Sequence, residues 1–181
     1  MTNKAVFLDR DGTLNVDKGY VHRTEEWEWI PGAFDAIVEL KKAGFLIIVV
    51  TNQAGIARGY YTEADVNRLH AWINDELKKH GTTIDGFYYC PHHPEHGGQC
   101  KCRKPMPGML HQAKLDFDID FRRSWLVGDK AGDIQAGLAA GVKSILVLTG
   151  YGNDDRALVG EEIACTADIA AASNFVISSH A

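Results

Sequence analysis

Apolar residues in this chain gather into short runs that break off abruptly into polar residues. The clearest is Phe45-Leu46-Ile47-Ile48-Val49-Val50, which turns polar at Thr51-Asn52-Gln53. A continuous apolar run of this length reads as a strand buried on both faces, as in a parallel sheet. Similar runs predict strands at about 5–9, 86–89, 125–127 and 144–148. Helical patterns lie between them. Pro31-Gly32 opens a helix in which Phe34, Ile37, Val38 and Lys41 share a largely apolar face, and Gly44 ends it. Thr62, with Asp65 three residues on, is placed to cap a helix that buries Val66, Leu69, Ile73 and Leu77. Pro107 opens another, and the Ala- and Gly-rich segment 131–140 suits a helix packed close to a sheet. Beyond about residue 154 the pattern weakens, with an edge strand expected near Phe175-Val176-Ile177. Strands alternating with helices predict an α/β fold, a Rossmann-like parallel sheet with helices on both faces. The expectation is one domain over residues 1–181.

That arrangement has a chemical consequence. Parallel strands put their carboxyl ends on one edge, where open α/β sheets bind ligands. Asp9, Asp11, Thr51, Asn52, Asp129 and Asp133 therefore converge. The run Asp9-Arg10-Asp11-Gly12-Thr13 offers one carboxylate as nucleophile and a second to move protons, and both are hard oxygen ligands for Mg²⁺. Thr51 and Asn52 can donate hydrogen bonds to phosphate oxygens. Arg103-Lys104-Pro105 brings fixed positive charge. In Gly128-Asp129-Lys130-Ala131-Gly132-Asp133 the two acids share a helix face, with Asp129 placed to complete a Mg²⁺ site with Asp9 and the backbone carbonyl of Asp11.

Composition narrows the partners. Among 181 residues the formal net charge is −5, which gives no electrostatic reason to expect nucleic acid. No stretch approaches the ~20 apolar residues that span a bilayer, and residues 1–4 run into a strand without a leader-like apolar region. A cytoplasmic monomer without membrane partners is expected. Cys90, Cys100 and Cys102 cluster within thirteen residues, while Cys165 stands alone. Cys90-Pro91-His92 facing Cys100-Lys101-Cys102 across a seven-residue gap offers four tetrahedral ligands for structural Zn²⁺, with His93 or His96 as alternatives to His92. Such a staple would explain how the long segment of about 90–106 stays ordered, and it would hold Arg103 and Lys104 over the site.

Taken in order, these motifs resemble the haloacid dehalogenase superfamily of aspartate-nucleophile phosphohydrolases, over roughly residues 5–150. The first motif matches Asp9-Arg10-Asp11-Gly12-Thr13, the second Thr51, the third Lys104, and the fourth Asp129 with Asp133. The resemblance implies Mg²⁺ held by Asp9, Asp11 and Asp129, with Asp133 behind them. It implies that Asp9 attacks phosphorus, that Asp11 protonates the leaving alcohol and then activates water, and that Thr51 and Lys104 bind the phosphoryl oxygens. Members usually carry a cap domain, and neither 15–30 nor the zinc loop is large enough to fold as one. A capless member with this loop resembles the branch acting on heptose bisphosphate, with histidinol phosphate as the alternative substrate. On that resemblance Asp17, Lys18, Gly19, Tyr20, Asn52, Gln53, Ala54, Arg103 and Lys130 join Thr51 and Lys104 in binding a small phosphorylated sugar, in the biosynthesis of a nucleotide-activated heptose for lipopolysaccharide. The competing expectation from another class is a zinc-stapled binding module without catalysis.

Overall fold

The computed structural model describes residues 2–180. Six strands form one parallel sheet in the order β3-β2-β1-β4-β5-β6. They are β1 (Ala5–Leu8), β2 (Leu46–Asn52), β3 (Gly86–Cys90), β4 (Trp125–Gly128), β5 (Lys143–Val147) and β6 (Ala164–Thr166). The helices are α1 (Ala33–Lys42), α2 (Glu63–Lys78), α3 (Gly108–Phe117), α4 (Ala131–Ala140), the single turn α5 (Gly152–Asp155) and α6 (Ile169–Ser178).

Period-two alternation along the strands divides the apolar runs between two cores. Val6, Leu8, Ile47, Val49, Val127 and Ile145 face Ile37 and Leu40 of α1, Leu69 and Ile73 of α2, and Ile169 and Val176 of α6. Ala5, Phe7, Ile48, Val50 and Leu126 face Met109, Leu110 and Ala113 of α3 and Ala136 of α4. The small residues of α4 have a definite reason. A Cβ on Gly137 would lie 2.1 Å from Ser144 Oγ, so α4 sits too close to β5 for a side chain there.

Thr62 caps α2 as expected, its side chain accepting from Asp65 N while Asp65 reaches back to the cap. Elsewhere the structure corrects the pattern. In α1 the buried residues are Ala33, Ala36, Ile37 and Leu40. Phe34 instead leans out against Trp29, 4.4 Å between ring centroids, and Lys41 pairs with Asp85. Phe175-Val176-Ile177 belongs to α6, not to an edge strand; the edge is Ala164–Thr166. Asp168 caps α6 by accepting from Ala171 N, and Ile169, Ala172, Ser173 and Val176 make a helical stripe. The three-residue apolar run was only the end of that stripe.

Between β1 and α1 the one helical element is the 3₁₀ turn Thr24–Glu26, and no helix or strand lies between β3 and α3. Neither connection builds a cap. β1 lies between β2 and β4, where the strand order reverses, and such a switch point opens a crevice at the carboxyl edge.

Candidate active site

Asp9 follows β1, and its backbone N–H bonds to Val127 O of β4 at 2.9 Å. That pairing sets its carboxylate beside Asp129, which follows β4. One oxygen each from Asp9, Asp129 and Asp133 lies within 4.8 Å of the others, and all three residues are buried. Lys104 reaches this group from the loop after β3. Its Nζ donates to Asp9 Oδ1 at 2.7 Å and to Val50 O at 2.8 Å, and it pairs with Asp133. Burial alone would lower the Lys104 pKa; Asp133 and Asp9 outweigh it and raise it, so the lysine is firmly charged.

The acids themselves are crowded. Burial, then the charges of Asp9 and Asp133, push the Asp129 carboxyl up to about 8. Burial and Asp9 push Asp133 to about 6. Asp129 Oδ2 accepts from Tyr151 N, while the buried Oδ1 has no hydrogen-bond partner. A buried, orphaned carboxylate oxygen among other acids is the donor set of a hard divalent cation. Gly12 makes room for it. The residue takes φ +93°, and a Cβ there would lie 2.2 Å from Asp129 Oδ2.

Asp11 is held differently. Its carboxylate accepts from Arg10 Nε at 3.1 Å and Nη2 at 2.8 Å, from Asn15 Nδ2 at 3.0 Å and from Gln53 Nε2 at 3.0 Å. Burial pushes its pKa up, but the Arg10 charge and these hydrogen bonds outweigh it and hold the group below the usual carboxylate range. Arg10 is wholly buried and also donates to Val21 O at 2.6 Å, tying the segment after β1 to the site.

Above these groups opens a cavity of about 500 Å³. Asp9, Asp11, Thr51, Lys104 and Asp133 line it, and Asp17, Gly19, Tyr20, Asn52, Gln53, Ala54, Arg103 and Lys130 also border it. Lys18 is not brought to the cavity and pairs with Glu28 at 2.8 Å. Asn52 uses its side-chain amide to grip Lys104, accepting from its N and donating to its O. Gln53 is likewise turned inward, to Asp11, Thr51 and Tyr61. Arg58, Tyr61 and Tyr151 border the cavity without having been singled out from the sequence, and His93, expected only as an alternative zinc ligand, borders it too. Arg58, Tyr61 and Tyr151 lie in loops whose residue types carry no spacing signal.

Cys90, His92, Cys100 and Cys102 come together as a four-ligand group that could hold a metal ion. Their neighbouring ligand atoms are 2.9–3.7 Å apart, and no disulfide forms among them. A tetrahedral ion with ~2.3 Å bonds to sulfur sets its ligands roughly 3.8 Å apart, so the group is compact enough to surround one. His93 and His96 turn elsewhere, His93 Nε2 lying 3.2 Å from Arg58 Nη2. The cluster braces the segment that carries Arg103 and Lys104: Arg103 N meets Cys100 Sγ, and Arg103 Nη1 donates to His92 O at 3.2 Å.

Comparison with known proteins places this geometry in a family. A family model described as "HAD-hyrolase-like" matches residues 101–173, the stretch holding Lys104, Asp129 and Asp133. The chain is 50% identical over 153 residues to the D-glycero-beta-D-manno-heptose-1,7-bisphosphate 7-phosphatase of Haemophilus influenzae, covering 82% of this chain and 83% of that one. The chain belongs to the haloacid dehalogenase superfamily of phosphatases. The enzyme of the same name from Escherichia coli K12 is 51% identical over 152 residues, 81% of this chain and 80% of that one. The fold matches the crystal structure of a D,D-heptose 1,7-bisphosphate phosphatase from B. bronchiseptica complexed with magnesium and phosphate. The TM-score is 0.89 at 36% identity, over 97% of this chain and 99% of that one. With relatives near 50% identity named as phosphatases, the chain is a phosphoric monoester hydrolase. Among the described residues no helix is long and apolar enough to cross a membrane.

Proposed function

We propose that this phosphatase, acting as one domain over residues 1–181, removes the 7-phosphate of D-glycero-D-manno-heptose 1,7-bisphosphate, on the way to a nucleotide-activated heptose. The observation that carries the reading is charge placement in the cavity. Asp9 and Lys104 line it as buried groups, and Arg58 and Arg103 line it as more exposed ones. A sugar with a phosphate at each end matches both cationic regions. Histidinol phosphate instead carries an ammonium group and no second phosphate to pair with Arg58 and Arg103. Relatives near 50% identity that bear the heptose name support the same choice. Side-by-side kcat/KM values test it: the heptose bisphosphate should exceed histidinol phosphate by more than ~100-fold, worth about 2.7 kcal/mol of differential transition-state binding.

In this reading Asp9 attacks phosphorus, the sugar oxygen leaves with a proton from Asp11, and an aspartyl-phosphate remains. Asp11 then takes a proton from water as that water attacks phosphorus, releasing phosphate and free Asp9. Lys104 and Thr51 hold the phosphoryl oxygens. The donors around Asp11 favour the ionised form suited to the second step. Arrival of a phosphate dianion beside it raises its proton affinity and prepares the first. Asp9, Asp129 and the Asp11 carbonyl, with Asp133 behind, would hold Mg²⁺, which when bound would supply the positive charge that lets a carboxylate approach a phosphate.

The crowded acids make that metal site testable through stability. A carboxyl whose folded pKa is raised above its unfolded value, near 3.9, contributes stability that is present at low pH. For Asp129 this is lost as pH rises through about 8. In Mg²⁺-free buffer, the melting temperature of the wild type should therefore fall relative to that of Asp129→Asn between about pH 5 and pH 8. Added Mg²⁺ should raise the wild type and not the variant. Parallel pH trends for the two proteins would remove Asp129 from the site.

Cys90, His92, Cys100 and Cys102 would hold Zn²⁺ with four protein side chains, and the ion would supply a structural cross-link, not a catalytic site. Elemental analysis should give one zinc per chain, and near zero for a Cys100→Ser/Cys102→Ser double variant. That variant should lose activity chiefly through KM, because the sheet stands without the loop, and should keep its Mg²⁺ requirement. Full zinc retention by the double variant would overturn the ligand set.

A further inference from the structure

Gln53 has one carboxamide and three polar neighbours. Its Nε2 lies 3.0 Å from Asp11 Oδ2 and 2.9 Å from Thr51 Oγ1, while its Oε1 lies 2.6 Å from the Tyr61 hydroxyl. The chemistry of the partners fixes every proton in this chain. A carboxylate only accepts, so the amide NH₂ must face Asp11. The carbonyl therefore faces Tyr61, and the Tyr61 hydroxyl must donate. Thr51 in turn accepts from Gln53, which leaves its own hydroxyl hydrogen for an oxygen in the cavity that Thr51 lines.

We propose that Tyr61 is a positioning residue of this phosphatase: its hydroxyl anchors the Gln53 carboxamide, whose amide in turn sets the acid/base Asp11. The proposal rests on the role assigned above to Asp11. Tyr61 is built in for such a task. It is only 6% exposed, and the His22 ring stacks on it at 4.8 Å and 14°. On its other side the main chain comes so close that a Cβ on Gly55 would lie 2.1 Å from Tyr61 Cε1. Burial keeps the phenol pKa near 12, so it donates throughout the neutral range. Without that hydroxyl, Gln53 Oε1 is a buried acceptor with no donor, and an unmet acceptor is costly. The carboxamide then swings toward cavity water and takes its two donor bonds off Asp11 and Thr51.

Tyr61→Phe removes the one hydroxyl and keeps the ring. The test compares kcat/KM for heptose 1,7-bisphosphate, whose alkoxide needs a proton to leave, with that for p-nitrophenyl phosphate, whose phenolate does not. We expect a fall of roughly tenfold or more for the sugar phosphate, the size of one well-placed hydrogen bond, and under about threefold for the aryl ester. Gln53→Leu should show the same selective loss, and adding Tyr61→Phe to it should change nothing further. Equal falls for both substrates, no fall, or additive effects in the double variant would overturn the relay. Asp11→Asn, measured alongside, separates the two ideas. If it discriminates between the substrates and Tyr61→Phe does not, the relay fails while the acid stands; if Asp11→Asn itself does not discriminate, the role of Asp11 fails and the relay with it.

Discussion

Replacing Asp9 by Asn should lower kcat by a factor on the order of 10⁴–10⁶, the range seen when an essential group of a covalent mechanism is removed. The amide has the shape of the carboxylate but no anionic oxygen to attack phosphorus. Shape is what the fold needs at this position. An amide oxygen can still accept from Lys104 Nζ, which lies 2.7 Å from Asp9 Oδ1. Loss of the charge also relieves Asp129 and Asp133, both of which Asp9 pushes toward protonation. The variant should therefore melt at or above the temperature of the wild type in Mg²⁺-free buffer while releasing almost no phosphate. Acid quenching during turnover of a labelled substrate should trap phosphate on the wild type and none on the variant. Activity within tenfold of the wild type would end the aspartyl-phosphate reading, whatever the stability showed.

The sequence carried the strands and the convergence of the motifs for one physical reason. Strands buried on both faces must be apolar throughout, so their polar ends stand out, and a parallel sheet collects those ends on one edge. Asp9, Thr51 and Asp129 were legible because each is the first hydrogen-bonding or charged group after or at the end of such a run. The Cys90-His92-Cys100-Cys102 cluster was legible because closely spaced Cys-x-His and Cys-x-Cys pairs suit a metal ion, and the structure gathers His92, not His93 or His96, with the three cysteines. Other features depended on contacts far apart in the chain. Arg10 reads as a motif filler, yet it is wholly buried, forks onto Asp11 and comes within 3.5 Å of His70 in α2. Arg58 and Tyr61 enter the cavity only because the loop between β2 and α2 folds over it. The last helix was misread because a three-residue apolar run has no period of its own.

Asp11→Asn should separate the two chemical steps by their leaving groups. For a sugar phosphate the lost acid slows departure of the alkoxide, and kcat/KM should fall by ~10²–10⁴-fold. The phenolate of p-nitrophenyl phosphate leaves unaided, so aspartyl-phosphate still forms, but the water that must clear it has lost its base. Mixing the variant with this ester should therefore give a burst of about one nitrophenolate per active site, followed by slow steady-state release. Stability should fall as well, in contrast to Asp9→Asn. Arg10 is completely buried and forks onto this one carboxylate, so neutralising Asp11 strands a buried cation. Breaking such a pair costs up to ~3 kcal/mol here, less than the full buried-pair range because Asp11 is partly exposed. Arg10→Met added to Asp11→Asn removes the stranded charge and should recover stability without recovering the burst-limited turnover. That divergence distinguishes a proton-transfer defect from a merely damaged site. A variant with no burst and an equal loss for both substrates would mean that Asp11 holds the loop and another group moves the proton.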